Sequence, residues 1–244
     1  PSSLHGLGLN AEKAVKEARA AVAKGLGVSP GEIYFTSGGT EADNMAIIRG
    51  AQSKRRAGNR IITTKTEHPA VLEPCAYMEK QGFEVVYIDA DSKGCIDIEQ
   101  LESEINERTV LISVMHVNNE LGSINPVAEI AKLKGNALFH SDAVQSYGKV
   151  DINAGGTDID MISVSGHKIH GPKGIGAIYV RRGVNVNPYI MGGGQEKNMR
   201  SGTENVPAIA GFGAAADISY TNMKSRTDNM KAARAHLLEG IRGS

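Results

Sequence analysis

The 244 residues contain no tryptophan and only two cysteines, Cys75 and Cys95. Two thiols cannot build a disulfide framework, and their spacing is not that of a metal-binding pair. This suits a reducing compartment, so a cytoplasmic protein without a metal site is expected. Net charge is lacking too, because 27 Lys and Arg residues balance 27 Asp and Glu residues. Without a surplus of either sign, nothing marks a polyanion or a charged lipid surface as the main partner, so neither nucleic acid nor membrane is expected. No apolar run approaches the roughly 18 to 20 residues that a membrane span needs. The N-terminus also lacks the basic-then-apolar order of a secretory signal. Internal repeats and low-complexity segments are absent as well.

What is present is a chain long enough for one large domain, or a domain and a half, at roughly 100 to 200 residues each. Over 10–24, Ala14, Val15, Ala18, Ala21 and Val22 recur at helical spacing, with Asn10 placed to cap the start. An apolar stretch at 33–35 runs into Ser37-Gly38-Gly39-Thr40-Glu41, and Met45, Ala46, Ile47 and Ile48 predict a helix after that turn. Further strands are expected at 60–63, 84–88, 110–115, 137–140, 161–164 and 176–180, several of them separated by helical stretches. Strands that alternate with helices predict an α/β fold with a mainly parallel sheet covered on both faces. Ligands of such sheets bind beyond the carboxyl ends of the strands. Glu67 and His68, Asn118 and Asn119, Asp142 and Gln145, and His167 and Lys168 all follow predicted strands, so they should meet at one edge. The one long irregular stretch, 183–205, has the length and glycine content of a functional loop.

Each candidate has a plain reading and a chemical one. The Gly38-Gly39-Thr40 turn is either a simple turn or a phosphate cradle made of backbone N–H groups, a hydroxyl and the positive end of a helix. Lys168 either snorkels at a strand end or is desolvated enough for its neutral amine to attack an aldehyde cofactor. Asp142 either caps a helix from Ala143 onward or, as a carboxylate at the end of an apolar strand, pairs with a cation such as a protonated ring nitrogen. Gln145 is close enough in sequence to reach another substituent of the same ring. Pro69 biases His68 away from helical dihedrals. His68 could then stack on a planar ring or move protons.

These segments together resemble one family. The runs Phe35-Thr36-Ser37-Gly38-Gly39-Thr40-Glu41, Thr66-Glu67-His68, His116-Val117-Asn118-Asn119-Glu120, His140-Ser141-Asp142-Ala143-Val144-Gln145, Ser165-Gly166-His167-Lys168 and Arg200-Ser201-Gly202-Thr203 are similar, in that order, to the NifS-type cysteine desulfurases. These are pyridoxal-phosphate enzymes of the class V aminotransferase type. The resemblance implies the large domain of a fold type I pyridoxal-phosphate-dependent transferase, with a mixed, seven-stranded sheet between helices. It implies that Lys168 holds the cofactor covalently and that His68 stacks on its ring and takes part in acid–base steps. Asp142 would pair with the ring nitrogen, Gln145 and Asn119 would contact or orient the ring, and Gly39, Thr40, Ser165 and His167 would hold the phosphate. Thr203 would reach the phosphate of a neighbouring subunit, which implies a homodimer. The implied substrate is L-cysteine. Its sulfur would pass to an enzyme thiolate, leaving alanine, and then to a sulfur-acceptor or iron–sulfur scaffold protein.

Three features depart from the pattern. The family's nucleophilic cysteine lies on a loop well after the lysine, but this chain has none after Cys95. Cys75 falls in an expected helix and Cys95 in a turn, so neither matches that position. The opening Pro1-Ser2-Ser3-Leu4-His5-Gly6 is similar to the interior of a family motif, and the sequence ends soon after a helical pattern at 222–242. The expectation is a fragment, with a pyridoxal-phosphate-binding domain at 1–220 and, at 221–244, the start of a helix leading to a small C-terminal domain. Finally, 130–136 is a little shorter than the family usually has. A selenocysteine lyase or an aminotransferase of the same fold, or a non-catalytic scaffold, would share much of this pattern. The Ser-Gly-His-Lys and Arg-Ser-Gly-Thr segments favour the desulfurases over the aminotransferases.

Overall fold

The computed structural model describes residue 1 and residues 5–243, so the opening motif lies partly outside the described residues. The first helix, α1 (Gly6–Leu26), starts earlier than its sequence pattern suggests. His5, not Asn10, is its cap, and His5 Nδ1 accepts from Gly8 N at 3.2 Å. Seven strands follow: β1 (Ile33–Thr36), β2 (Arg60–Thr64), β3 (Glu84–Ile88), β4 (Thr109–Ser113), β5 (Leu138–Asp142), β6 (Met161–Ser165) and β7 (Gly176–Val180). Between β1 and β2 run α2 (Gly39–Asn44), a π-helical turn (Met45–Gly50) and α3 (Ala51–Ser53). Next come α4 (Pro69–Lys80), α5 (Ile98–Glu104) and α6 (Val127–Leu133), and after the strands α7 (Val206–Thr221) and α8 (Met223–Arg242).

The strands form one sheet in the order β1-β7-β6-β5-β4-β2-β3. The pairs from β3 across to β6 are parallel, while β7 is antiparallel to both β6 and β1. The sheet is therefore mainly parallel, as the alternation of elements predicts, and mixed, as the resemblance implies. Because both faces are covered, neighbouring strand residues serve different cores and the strands read as continuous apolar runs. Ile62, Ile112, Phe139, Ile162 and Tyr179 pack against Val22 and Leu26 of α1 and Ile209 and Phe212 of α7. Ile61, Leu111, Leu138, Met161 and Ile178 pack on the other side with Ala42, Met45 and Ile47 and with Val71, Cys75 and Met78 of α4.

On the first face Phe212 is fully buried, with the rings of Phe35 and Tyr147 edge-on at 6.5 and 6.1 Å. Each such pair adds about 0.5 to 1.5 kcal/mol beyond the area it buries. Helices α1 and α7 touch closely at Gly213, where a Cβ would lie 2.5 Å from Ala18 Cα. On the other face the strand residues become polar toward their carboxyl ends: Thr63, Ser113, His140, Asp142, Ser163 and Ser165 are all buried. They continue the positions held by Ile61, Leu111, Leu138 and Met161, because side chains two apart share a face. This change from apolar to polar places the site.

Candidate active site

The start of α2, the ends of β2, β5 and β6 and the loop after β4 enclose a cleft of about 420 Å³, a size suited to a small organic ligand. Every candidate cofactor residue except Thr203 lines it: Gly39, Thr40, His68, Asn119, Asp142, Gln145, Ser165, His167 and Lys168. Thr203 lies in a separate depression with Phe35, Ser37 and Arg200.

Local folding explains each placement. Thr36 Oγ1 donates to Gly38 O at 2.9 Å, and Ser37 N donates to Glu41 at 2.8 Å, which shapes the turn before α2. Gly176 keeps β7 against that turn, since a Cβ there would come within 2.7 Å of Gly38 C. His68 caps α4, with its Nδ1 accepting from Ala70 N at 3.0 Å. The cap puts the neutral ring's proton on Nε2, which makes that nitrogen a donor. Asn118 holds the loop after β4, donating to Thr66 O at 3.0 Å and accepting from the backbone N–H groups of Glu120 and Leu121. Asn119 is thereby delivered to the cleft, where its side chain donates to Glu120 at 2.8 Å. Gln145 Oε1 accepts from Lys149 Nζ at 3.3 Å.

Lys168 sits in a 3-10 turn, Gly166–Ile169, directly after β6, and is half-buried as expected. His170, just after the turn, is left-handed at φ 67°, which bends the chain back. Ser165 Oγ and His167 Nδ1 pair at 2.8 Å. Burial, and then the charges of Lys168, Lys173 and Lys149, lower the His167 pKa and keep the ring neutral. Asp142 is the last residue of β5 and is buried. No helix begins at Ala143. Asp142 Oδ1 instead accepts from Val144 N at 2.8 Å within a turn. Burial raises its pKa, while the Val144 N–H, His68 and Lys168 pull it down.

Two further acids escaped the sequence reading of roles. Glu67 is buried beside the cleft wall, with Oε1 accepting from Met115 N at 2.7 Å and Thr64 Oγ1 at 3.0 Å, and with Oε2 unpartnered. Burial, with Asp142 nearby, lifts its pKa from 4.5 to about 8. Asp43 of α2 lines the cleft floor and is 1% exposed. Burial and the charges of Asp142 and Glu67 hold its pKa well above the carboxylate range. The Thr66-Glu67-His68 run hinted at the first, but nothing in the sequence singled out the second.

Neither cysteine lines the cleft. Cys75 is fully buried in α4, and Cys95 sits in the turn before Ile96, with its Sγ 3.7 Å from Ile124 O. Among the described residues there is no cluster that could hold a metal ion, and no helix is long and apolar enough to cross a membrane.

The site is thus a lysine, a buried aspartate and a glycine-led helix start gathered at the strand ends of a mixed seven-stranded α/β sheet. The chain belongs to the aminotransferase class-V family, whose model matches residues 1–244. It is 43% identical over 243 residues to the cysteine desulfurase IscS of Dictyoglomus turgidum, covering 99% of this chain and 62% of that protein. It is 48% identical over 227 residues to a cysteine desulfurase of Nostoc sp., covering 92% of this chain and 56% of that protein. The chain thus spans about six-tenths of the length of these curated relatives. A solved NifS-like protein matches with a TM-score of 0.97 at 42% identity, over 100% of this chain and 68% of that one. Another structure, SspA in complex with cysteine, matches with a TM-score of 0.85 at 43% identity, over 89% of this chain and 64% of that one.

Proposed function

We propose that this chain is the cofactor-bearing part of a pyridoxal-phosphate-dependent cysteine desulfurase. The observation that carries the proposal is that Lys168 and the buried Asp142 face one cleft whose other wall begins at Gly39 and Thr40. These residues fit pyridoxal phosphate. An amine stands ready for the aldehyde, a buried carboxylate without a paired cation suits a protonated ring nitrogen, and a helix start with Thr40, Ser165 and His167 suits a phosphate. The Gly39 backbone contributes to that cradle, since a Cβ there would meet Val144 Cγ2 at 2.6 Å. When bound, the cofactor supplies an electron sink for the substrate α-carbon.

The chain's own residues do the rest. Asp142 would keep the ring nitrogen charged, His68 would cover the ring, Asn119 and Gln145 would orient it, and the Lys168 amine would move protons at the substrate carbon. In the proposed reaction a thiolate bonds to the sulfur of L-cysteine, the C–S electron pair returns to carbon, and a proton there completes alanine. The sulfur stays as a persulfide for a sulfur-acceptor or iron–sulfur scaffold protein. Neither Cys75 nor Cys95 lines the cleft, so the thiolate is assigned to neither. Thr203, outside its own chain's cleft, is supported as a contact to a second copy in a homodimer by its exposure beside Arg200. The proposed division into a cofactor domain at 1–220 and a connecting helix at 221–244 is supported by α8, which buries no residue. The balanced charge and lone thiols support a cytoplasmic setting.

The test is to add pyridoxal phosphate, record the visible spectrum, reduce with borohydride and map the adduct by mass, beside Lys168→Ala. A visible band with an adduct on Lys168 that the variant loses is expected. A well-folded chain with no lysine adduct would overturn the reading. With an added thiol as sulfur acceptor, alanine and persulfide from L-cysteine, and none from other amino acids, then separate a desulfurase from an aminotransferase.

A further inference from the structure

Beneath the cleft a chain of buried polar groups crosses the sheet. His140 Nδ1 lies 2.9 Å from Ser113 Oγ on β4, and His140 Nε2 lies 2.9 Å from Ser163 Oγ on β6. The same Nε2 is 3.5 Å from Asp43 Oδ1, which has no hydrogen-bond partner. Ser113, His140 and Ser163 are fully buried, and Asp43 nearly so.

Hydroxyls and a neutral imidazole can each point either way, so this chain has two self-consistent directions. With Asp43 ionised, His140 Nε2–H faces the carboxylate and Ser113 donates to His140 Nδ1. With a proton on Asp43, Nε2 is left to accept from Ser163, and His140 Nδ1–H donates to Ser113. The surroundings choose between them. Asp43 is 1% exposed, its Oδ1 has no hydrogen-bond partner, and among the described residues no Lys or Arg pairs with it; the neighbouring acids are Asp142 from β5 and Glu67 from the end of β2, the latter itself protonated near neutrality. His140 offers no compensating charge, because burial lowers its pKa to about 3. The Lys168 charge acts on Asp142. A buried carboxyl with no cation beside it keeps its proton.

We propose that Asp43 is a positioning residue: it remains a neutral acid, its proton beside His140 leaves Nε2 to accept and so fixes the Nδ1–H tautomer, and Asp142 is left to carry the charge of the cleft. The last clause rests on the proposed function, in which Asp142 meets the ring nitrogen.

The experiment reads the tautomer directly. The full chain, labelled with 15N-histidine and loaded with pyridoxal phosphate, gives imidazole nitrogen signals. Those of His140 are assigned by their loss in His140→Gln, or by the shift of Nδ1 alone in Ser113→Ala. The expected result at neutral pH is protonated Nδ1 and unprotonated Nε2. Any conversion to the Nε2–H form on raising the pH should vanish in Asp43→Asn, which cannot ionise. An Nε2–H tautomer in the wild type at neutral pH, or a conversion that persists in Asp43→Asn, overturns the assignment. An Nδ1–H tautomer in a chain that forms no Lys168 adduct upholds the neutral Asp43 and refutes the proposed function alone.

Discussion

Glu67 shows how burial turns a residue's chemistry into a pH dependence. Its carboxyl is lifted from 4.5 to about 8, so near neutrality the folded chain keeps a proton that the unfolded chain has released. A raised carboxyl stabilises the fold most fully below its unfolded pKa, and that contribution is lost as the pH climbs through the folded one. The urea midpoint should therefore fall between pH 4.5 and about 8, and Glu67→Gln, which keeps the shape and the neutral state, should flatten part of that fall. An identical slope in the variant would count against a proton on Glu67. The two thiols differ for the same reason. Burial pushes Cys75 up to about 12, whereas Cys95 lies partly exposed in its turn. Because the thiolate is the reactive form, iodoacetamide should label Cys95 in the native protein and reach Cys75 only on unfolding. Native labelling of Cys75 would show that α4 opens.

At the scale of elements, the loop at 183–205 closes on itself through an Ile190–Arg200 bridge and is tied to the rest of the fold by ion pairs. Glu196, Lys197 and Asn198 are all left-handed, at φ 47°, 56° and 66°, a run that costs about 1 kcal/mol or more per residue. The anchor is Glu196, whose carboxylate accepts two bonds from Arg19 of α1 at 2.7 Å and one from Phe35 N at 3.0 Å. Arg200 is tied to Glu41 of α2 at 2.7 Å, so the loop that carries Thr203 is pinned to both sides of the sheet. Removing one partner of a buried pair strands the other charge. Glu196→Ala should cost about 3 kcal/mol in a denaturation experiment and expose 183–205 to trypsin, at Lys197 first. Resistance to cleavage equal to the wild type would place the loop's anchor elsewhere. Sequence reading found this loop by its length and glycines, but the clamp joins residues 177 apart, a pairing that no local pattern signals.

Across the whole molecule, stability is unevenly shared. Helices α1 and α7 lock together over one face of the sheet, while α8 buries none of its residues and leaves Met230 and Leu237 exposed. A helix of this length gains little stability in water without packing. Amide hydrogens of 223–242 should therefore exchange far faster than those of α1 and α7, and slow exchange there would reveal a partner surface on α8. The sequence by itself determined the seven strands, the order of helices between them and the motifs at the strand ends. Two-residue and helical periodicities, glycine turns and proline positions act over short stretches of chain, so they can be read there. It also marked Lys168, Asp142 and His68 as residues that one strand edge would bring together. It misplaced the start of α1, because a histidine five residues earlier caps the helix, and it left open whether Asp142 caps a helix. Only the tertiary structure decided that Asp142 ends a strand, that Asp43 and Glu67 crowd it, and that His140 joins two serines on neighbouring strands. Burial, charge proximity and hydrogen-bond direction depend on which distant segments pack together, and those distances exist only in the folded chain.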